Sequence, residues 1–142
     1  MKPELQRKLA GKYPDLFIEW KKDLDTRNPI SQRGIECGDG WGDILDRMSK
    51  EIQAFCDETK TELWYAQIKE KFAELRVYYD FKDLHNVSEE NKERLSKIIR
   101  KYVEESNVTC EDCGSKDKDV EKRKGGWVRT LCTSCYEKFM KE

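Results

Sequence analysis

No stretch of this chain approaches the roughly eighteen consecutive apolar residues of a membrane-spanning helix. The opening Met1-Lys2-Pro3-Glu4 lacks the apolar run that marks a secretory signal. The expectation is a soluble, cytoplasmic protein with no membrane partner. Charge of one sign is missing too: 28 Lys and Arg residues offset 29 Asp and Glu, so no global field draws the chain to nucleic acid or an anionic bilayer. A nucleic-acid site would have to be a local patch. Histidine is reduced to His85, in a polar turn beside Asp83 and Asn86, with no nucleophile or metal partner near it in sequence. Carboxylates are plentiful, but in a chain that is 40% charged no pair stands out as acid and base. No catalytic residue is nominated, and binding is favoured over catalysis. Apolar residues are scarce at 37%, yet 11% aromatics is too many for a disordered chain. One small core under a charged shell is expected from 142 residues.

What is there begins with helical spacing. Leu5 and Leu9 lie one turn apart after Pro3, which suits a first helical position, and predict a short helix over Lys2 to Lys12. Pro14 ends it, and Leu16, Phe17, Ile18 and Trp20 offer apolar anchors. Asp23 to Gly40, with Pro29 and three glycines, reads as an ordered loop. From Trp41 to Lys60 the apolar positions Trp41, Ile44, Leu45, Met48, Ile52, Phe55 and Cys56 follow the three-four rhythm of one helix face, so the central helix is placed at 41–60. A second long helix, 88–105, starts at the N-cap candidate Ser88 and carries Leu95, Ile98, Ile99, Tyr102 and Val103. Between them, Leu63 to Phe81 is mixed. Trp64, Ala66 and Ile68 alternate, as do Leu75, Val77 and Tyr79, which favours two strands turning near Phe72 to Glu74. Ala73-Glu74 is nevertheless helix chemistry, and Ile68, Phe72 and Leu75 would fit a helix.

The cysteines carry the chemistry. Cys110-x-x-Cys113 and Cys132-x-x-Cys135 form two knuckles separated by eighteen residues, a spacing of four-cysteine metal sites. Two residues between cysteines let both thiolates of a tight turn face one ion, and four soft sulfurs suit the tetrahedral preference of zinc. Gly114 can supply the positive φ of such a turn. One structural zinc is therefore expected, with no open position for an activated water. The rivals are a pair of disulfides and a thioredoxin-like C-x-x-C, but redox motifs seldom come doubled. The remaining two are read first as buried small hydrophobes: Cys56 lies on the central helix stripe, and Cys37 sits in the glycine-rich loop, where a reactive thiol is the alternative.

Three segments are candidate ligand contacts. Gly38, Asp39, Gly40 and Trp41 precede the central helix; they serve either as the start of that helix or as an anion site built from backbone N–H groups. Lys69, Lys71, Arg76 and Tyr78 bring cations and an aromatic together, as a solvated face or a patch for phosphates and bases. Lys122, Arg123, Lys124, Trp127 and Arg129 form a basic loop with an aromatic, either an exposed turn or a nucleic-acid contact.

Read together, Glu36-Cys37-Gly38-Asp39-Gly40-Trp41, Lys69-Glu70-Lys71-Phe72 with Leu75-Arg76-Val77-Tyr78, Cys110-Glu111-Asp112-Cys113-Gly114, Gly126-Trp127 and Thr130-Leu131-Cys132 resemble a family of small, mostly uncharacterised proteins of phages, prophages and bacteria. The resemblance implies a phage or mobile-element setting, with the cytoplasm of a host cell as the location, and brings no reaction with it. Members of that family usually carry Gly-Gly after the Lys-Glu-Lys-Phe motif, where this chain has Ala73-Glu74.

The fold expected is α+β: a helical domain over 1–106 with a β-hairpin, followed by a zinc ribbon over 107–142. The function expected is that of a non-catalytic, zinc-binding accessory protein that binds nucleic acid or a nucleotide. The alternatives are a protein-interaction module that inhibits or redirects a host protein, such as a defence factor, and a sequestering protein for a nucleotide signal.

Overall fold

The computed structural model describes residues 1–22, 28–124 and 126–141. The architecture is α+β, with a C-terminal four-cysteine cluster. Pro3 opens α1 (Pro3–Lys12), which buries Leu9. Leu16 and Phe17 are buried anchors as expected, whereas Ile18 is half exposed.

The expected loop after Asp23 is more structured than its composition predicts. Residues 23–27 lie outside the described part, but Pro29 opens α2 (Pro29–Arg33), and β1 (Ile35–Glu36) and a 3-10 turn (Asp39–Trp41) follow. A two-residue strand is too short to leave a periodic signal. It exists because Ile35 and Glu36 pair in parallel with Ile68 and Lys69, far along the chain.

The central helix is α3 (Gly42–Thr59), closed by Lys60 in the left-handed conformation. Its Ile44, Leu45, Met48, Ile52 and Phe55 form the centre of one apolar cluster. Each such side chain contributes roughly 1.5–3 kcal/mol of burial free energy. Tyr65, Ile68 and Leu75 join that cluster from the sheet, and Leu95, Ile99 and Tyr102 join from α4 (Glu89–Ser106). Ser88 caps α4, its hydroxyl accepting from the Asn91 N–H at 3.1 Å.

The mixed segment is a hairpin. β2 (Leu63–Lys71) and β3 (Glu74–Phe81) pair antiparallel, and the sheet order is β1-β2-β3. Register shifts by one residue between Tyr65 and Gln67, a bulge at Ala66. That bulge accounts for the confused periodicity, since the buried residues are Leu63, Tyr65 and then Ile68. The connecting residues Phe72 and Ala73 have φ of 53° and 64°, the paired left-handed geometry of a type I′ turn.

Beyond α4 the chain forms β4 (Glu121–Arg123), β5 (Arg129–Leu131) and α5 (Thr133–Lys141). The two strands pair antiparallel, and Cys110, Leu131 and Cys132 make a small second core with Val120, Tyr136 and Phe139 packed on it. Among the described residues no helix is long and apolar enough to cross a membrane.

Candidate metal centre

The two knuckles converge. The sulfurs of Cys110, Cys113, Cys132 and Cys135 all lie within 4.8 Å of one another, positioned to hold a metal ion. Cys113 Sγ and Cys132 Sγ are 3.7 Å apart. A disulfide needs about 2.05 Å, whereas a tetrahedron of sulfurs around an ion at about 2.3 Å has edges of about 3.8 Å. The spacing is that of shared ligation.

Local backbone builds each knuckle. Gly114 has φ of +81°, and its N–H donates to the Cys110 carbonyl at 2.9 Å, closing the first turn. The second knuckle straddles the start of α5, where the Cys135 N–H donates to Cys132 Sγ at 3.4 Å and the Asp119 carboxylate accepts from the Thr133 N–H at 2.8 Å. Burial opposes charge on Cys110, but backbone N–H groups of Cys113, Cys132 and Asp112 outweigh it and hold that thiol below its ordinary value. Cys135 is pushed the other way, first by burial and then by the neighbouring sulfurs. Four thiolates this close ionise together only around a cation.

The module is seated on the main core through the first knuckle. Gly40 N–H donates to the Glu111 carbonyl at 2.7 Å and Gly38 N–H to Glu111 Oε2 at 2.8 Å. The buried Trp41 indole donates to the Thr109 carbonyl at 3.0 Å. Both glycines are needed here: a Cβ on Gly40 would stand 2.3 Å from the Cys110 carbonyl oxygen, and one on Gly38 2.5 Å from that of Glu111. Burial raises the Glu111 carboxyl above its usual range, opposed by the Gly38 N–H and by Arg129, whose Nη2 lies 3.5 Å from Oε1.

Thus the N–H groups of Gly38 and Gly40, candidates for a phosphate, are occupied by Glu111. Asp39 accepts from the Lys2 N–H at 2.8 Å, and Trp41 is core. Cys37 is buried, which raises its thiol well above the ordinary value, with Glu111 adding to the effect.

The basic candidates separate into two groups. Arg123 is bound inward, donating to the carbonyls of Leu131 and Asp119 and lying over Tyr136. Arg129 pairs with Asp112 and Glu111 and lies over Phe139. Of the others, Lys71, Tyr78, Lys122, Lys124 and Trp127 are exposed, while Lys69 and Arg76 are partly buried. Lys69 stands opposite Arg76, Lys71 opposite Glu74, and Tyr78 opposite Gln67, so one face of the hairpin carries Lys69, Lys71, Arg76 and Tyr78. Lys122 stands opposite Thr130, whose hydroxyl donates to the Ala73 carbonyl at 2.7 Å, so Lys122 shares the ribbon face that meets the hairpin tip. Trp127 is 70% exposed, and its indole N–H donates to Glu70 Oε1 at 3.3 Å; Lys124 is exposed close by in sequence.

Sequence reasoning did not single out Glu111, Thr130 or Phe72. Glu111 and Thr130 fall within the quoted motifs, but as a residue between two cysteines and one hydroxyl in a short strand they carry no signal of their own of the groups they hold. Phe72 ended a motif and was read as part of a turn, yet it is 73% exposed at the apex. No protein-family model, curated protein or solved structure matches this chain.

Proposed function

We propose that this protein is a zinc-stapled, non-catalytic nucleic-acid-binding protein of the host-cell cytoplasm, in the phage or mobile-element setting that its motifs resemble. The single observation behind the binding surface is the seating of the ribbon on the hairpin. Two basic, aromatic-bearing segments about fifty residues apart in sequence meet at Glu70–Trp127 and Ala73–Thr130. Lys69, Lys71, Arg76 and Tyr78 line one face of the hairpin, Glu70 with the Trp127 it holds lies on the other, and the two meet at the tip, where cations and aromatics suit phosphates and bases.

Zinc is the ion that best suits the four sulfurs, since all-thiolate tetrahedral sites select zinc or iron. Elemental analysis of protein made in zinc-replete cells separates them, with iron also betrayed by visible absorption. The binding reading is tested by titration against single- and double-stranded DNA and RNA at several salt concentrations. Affinity that falls as salt rises supports it, because neutralised phosphates release counterions. Salt-insensitive capture of a host protein by the same face would favour the interaction-module reading.

A further inference from the structure

We infer that the surface takes single-stranded nucleic acid, read by stacking on Phe72 and Trp127 at the hairpin tip; this rests on the nucleic-acid reading above. The Glu70 carboxylate joins the two rings. Its Oε1 accepts from the Trp127 indole at 3.3 Å, and its Oε2 accepts at 2.8 Å from the Ala73 N–H, the peptide that follows Phe72. One side chain therefore sets both aromatics at the same tip, where they are 70% and 73% exposed.

Phe72 is held there against its own preference. A bulky residue with φ of 53° is strained, and the conformation persists because Ala73 is clamped from two sides, by Glu70 on its N–H and by Thr130 on its carbonyl. The clamp presents a large apolar ring to water instead of burying it.

From the tip, β3 leads to an open cleft of about 310 Å³ between that strand and α4, lined by Arg76, Tyr78, Ser96 and Arg100. Arg76 Nε is buried and donates no hydrogen bond among the described residues, while its Nη2 lies 3.4 Å from Oε1 of Glu74, which also lines the cleft. The distance from Phe72 to Tyr78 along the strand is roughly 20 Å at about 3.3 Å per residue, room for several nucleotides. A third aromatic, Tyr78, is 46% exposed at this cleft, on the face of β3 that carries Arg76.

Charge decides between single strand and duplex. Lys69, Lys71, Arg76, Arg100 and Lys122 are interrupted by Glu36, opposite Lys69, and Glu74, opposite Lys71, and the whole chain has a net charge of −1. A duplex hides its base faces and is held mainly through phosphates, which this broken positive surface serves poorly. Unpaired bases offer the π-faces that exposed rings accept.

The test uses the full-length, metal-loaded chain and fluorescence anisotropy at low salt, with oligothymidylate and oligouridylate of about ten nucleotides, within the site sizes of such surfaces, and with a duplex of matched length. Variants are Phe72→Gly, which the left-handed turn accommodates, Trp127→Ala, and Phe72→Tyr as the ring-preserving control. The expected result is tighter binding of the single strands, a loss of about tenfold for each ring removed, and full affinity in Phe72→Tyr. Duplex bound as tightly as single strand, or unchanged affinity without the rings, overturns the stacking inference and leaves nucleic-acid binding standing. No binding to any of the three probes removes both.

Discussion

The Gly40 N–H donates to the Glu111 carbonyl at 2.7 Å, across a contact so close that a Cβ on Gly40 would lie 2.3 Å from the neighbouring Cys110 oxygen. A metal knuckle and the start of the central helix are thereby packed backbone to backbone. Gly40→Ala is expected to cost about 1–3 kcal/mol by overpacking and also to weaken metal retention. Denaturant titration paired with competition against a chromogenic chelator measures both, and a variant with unchanged midpoint and unchanged metal affinity would show that the seat is dispensable.

Removing the metal should therefore be felt beyond the tail. The sequence alone predicts unfolding of the ribbon, but Thr109, Glu111 and Thr130 each hold a group of the main body, respectively Trp41, Gly38 with Gly40, and Ala73. The expected outcome of chelation is a lower unfolding midpoint for the whole chain, seen by helical circular dichroism as well as by tryptophan emission. A helical transition indifferent to chelator would mean that the two parts are energetically separate.

Thr130→Val keeps shape and removes one hydroxyl. It leaves the Ala73 carbonyl without the donor now 2.7 Å away, in a buried setting, at an expected cost of about 1–3 kcal/mol. Phe72→Gly in the same background should recover part of that loss by relieving the left-handed strain. Equilibrium unfolding of the single and double variants gives the comparison.

The contribution of Glu105 should depend on pH. The Arg47 guanidinium holds its carboxyl down to about 2, against burial and with help from Lys116. A folded-state value below the unfolded one, about 4.3, means that the unfolded chain binds the extra proton. The stabilisation is thus fully present above about pH 5 and lost as pH falls toward 2. Solvent screening of this partly exposed group keeps it at about 1 kcal/mol. The stability gap between wild type and Glu105→Gln should close over that window. Metal loss, common to both proteins, cancels in the difference.

Cys37 and Cys56 should resist alkylation in the folded, metal-loaded protein at neutral pH. Cys37 is buried with its thiol pushed up, and burial also raises Cys56, to about 11. Mass mapping after iodoacetamide treatment is the check, and prompt labelling of Cys37 would contradict the packed loop described here.

Much of the fold was legible because its causes are local. The stripe from Trp41 to Cys56, the Ser88 cap and the paired C-x-x-C knuckles each act within a few residues, through helical periodicity, a capping hydroxyl and the geometry of a short turn. The ligand set of the metal centre followed from the same local logic. The remainder rests on partners far apart in the chain. Phe72 and Ala73 make a type I′ turn without glycine because Thr130, fifty-seven residues on from Ala73, holds the turn in place. β1 exists only against β2. Gly38 receives a carboxylate from 73 residues away, where composition allowed a phosphate. Hydrogen bonds and close backbone contacts of that range leave no periodic trace in a sequence. Only the folded chain, by bringing the ribbon onto the hairpin, decided which glycines are a seat and which aromatics face water.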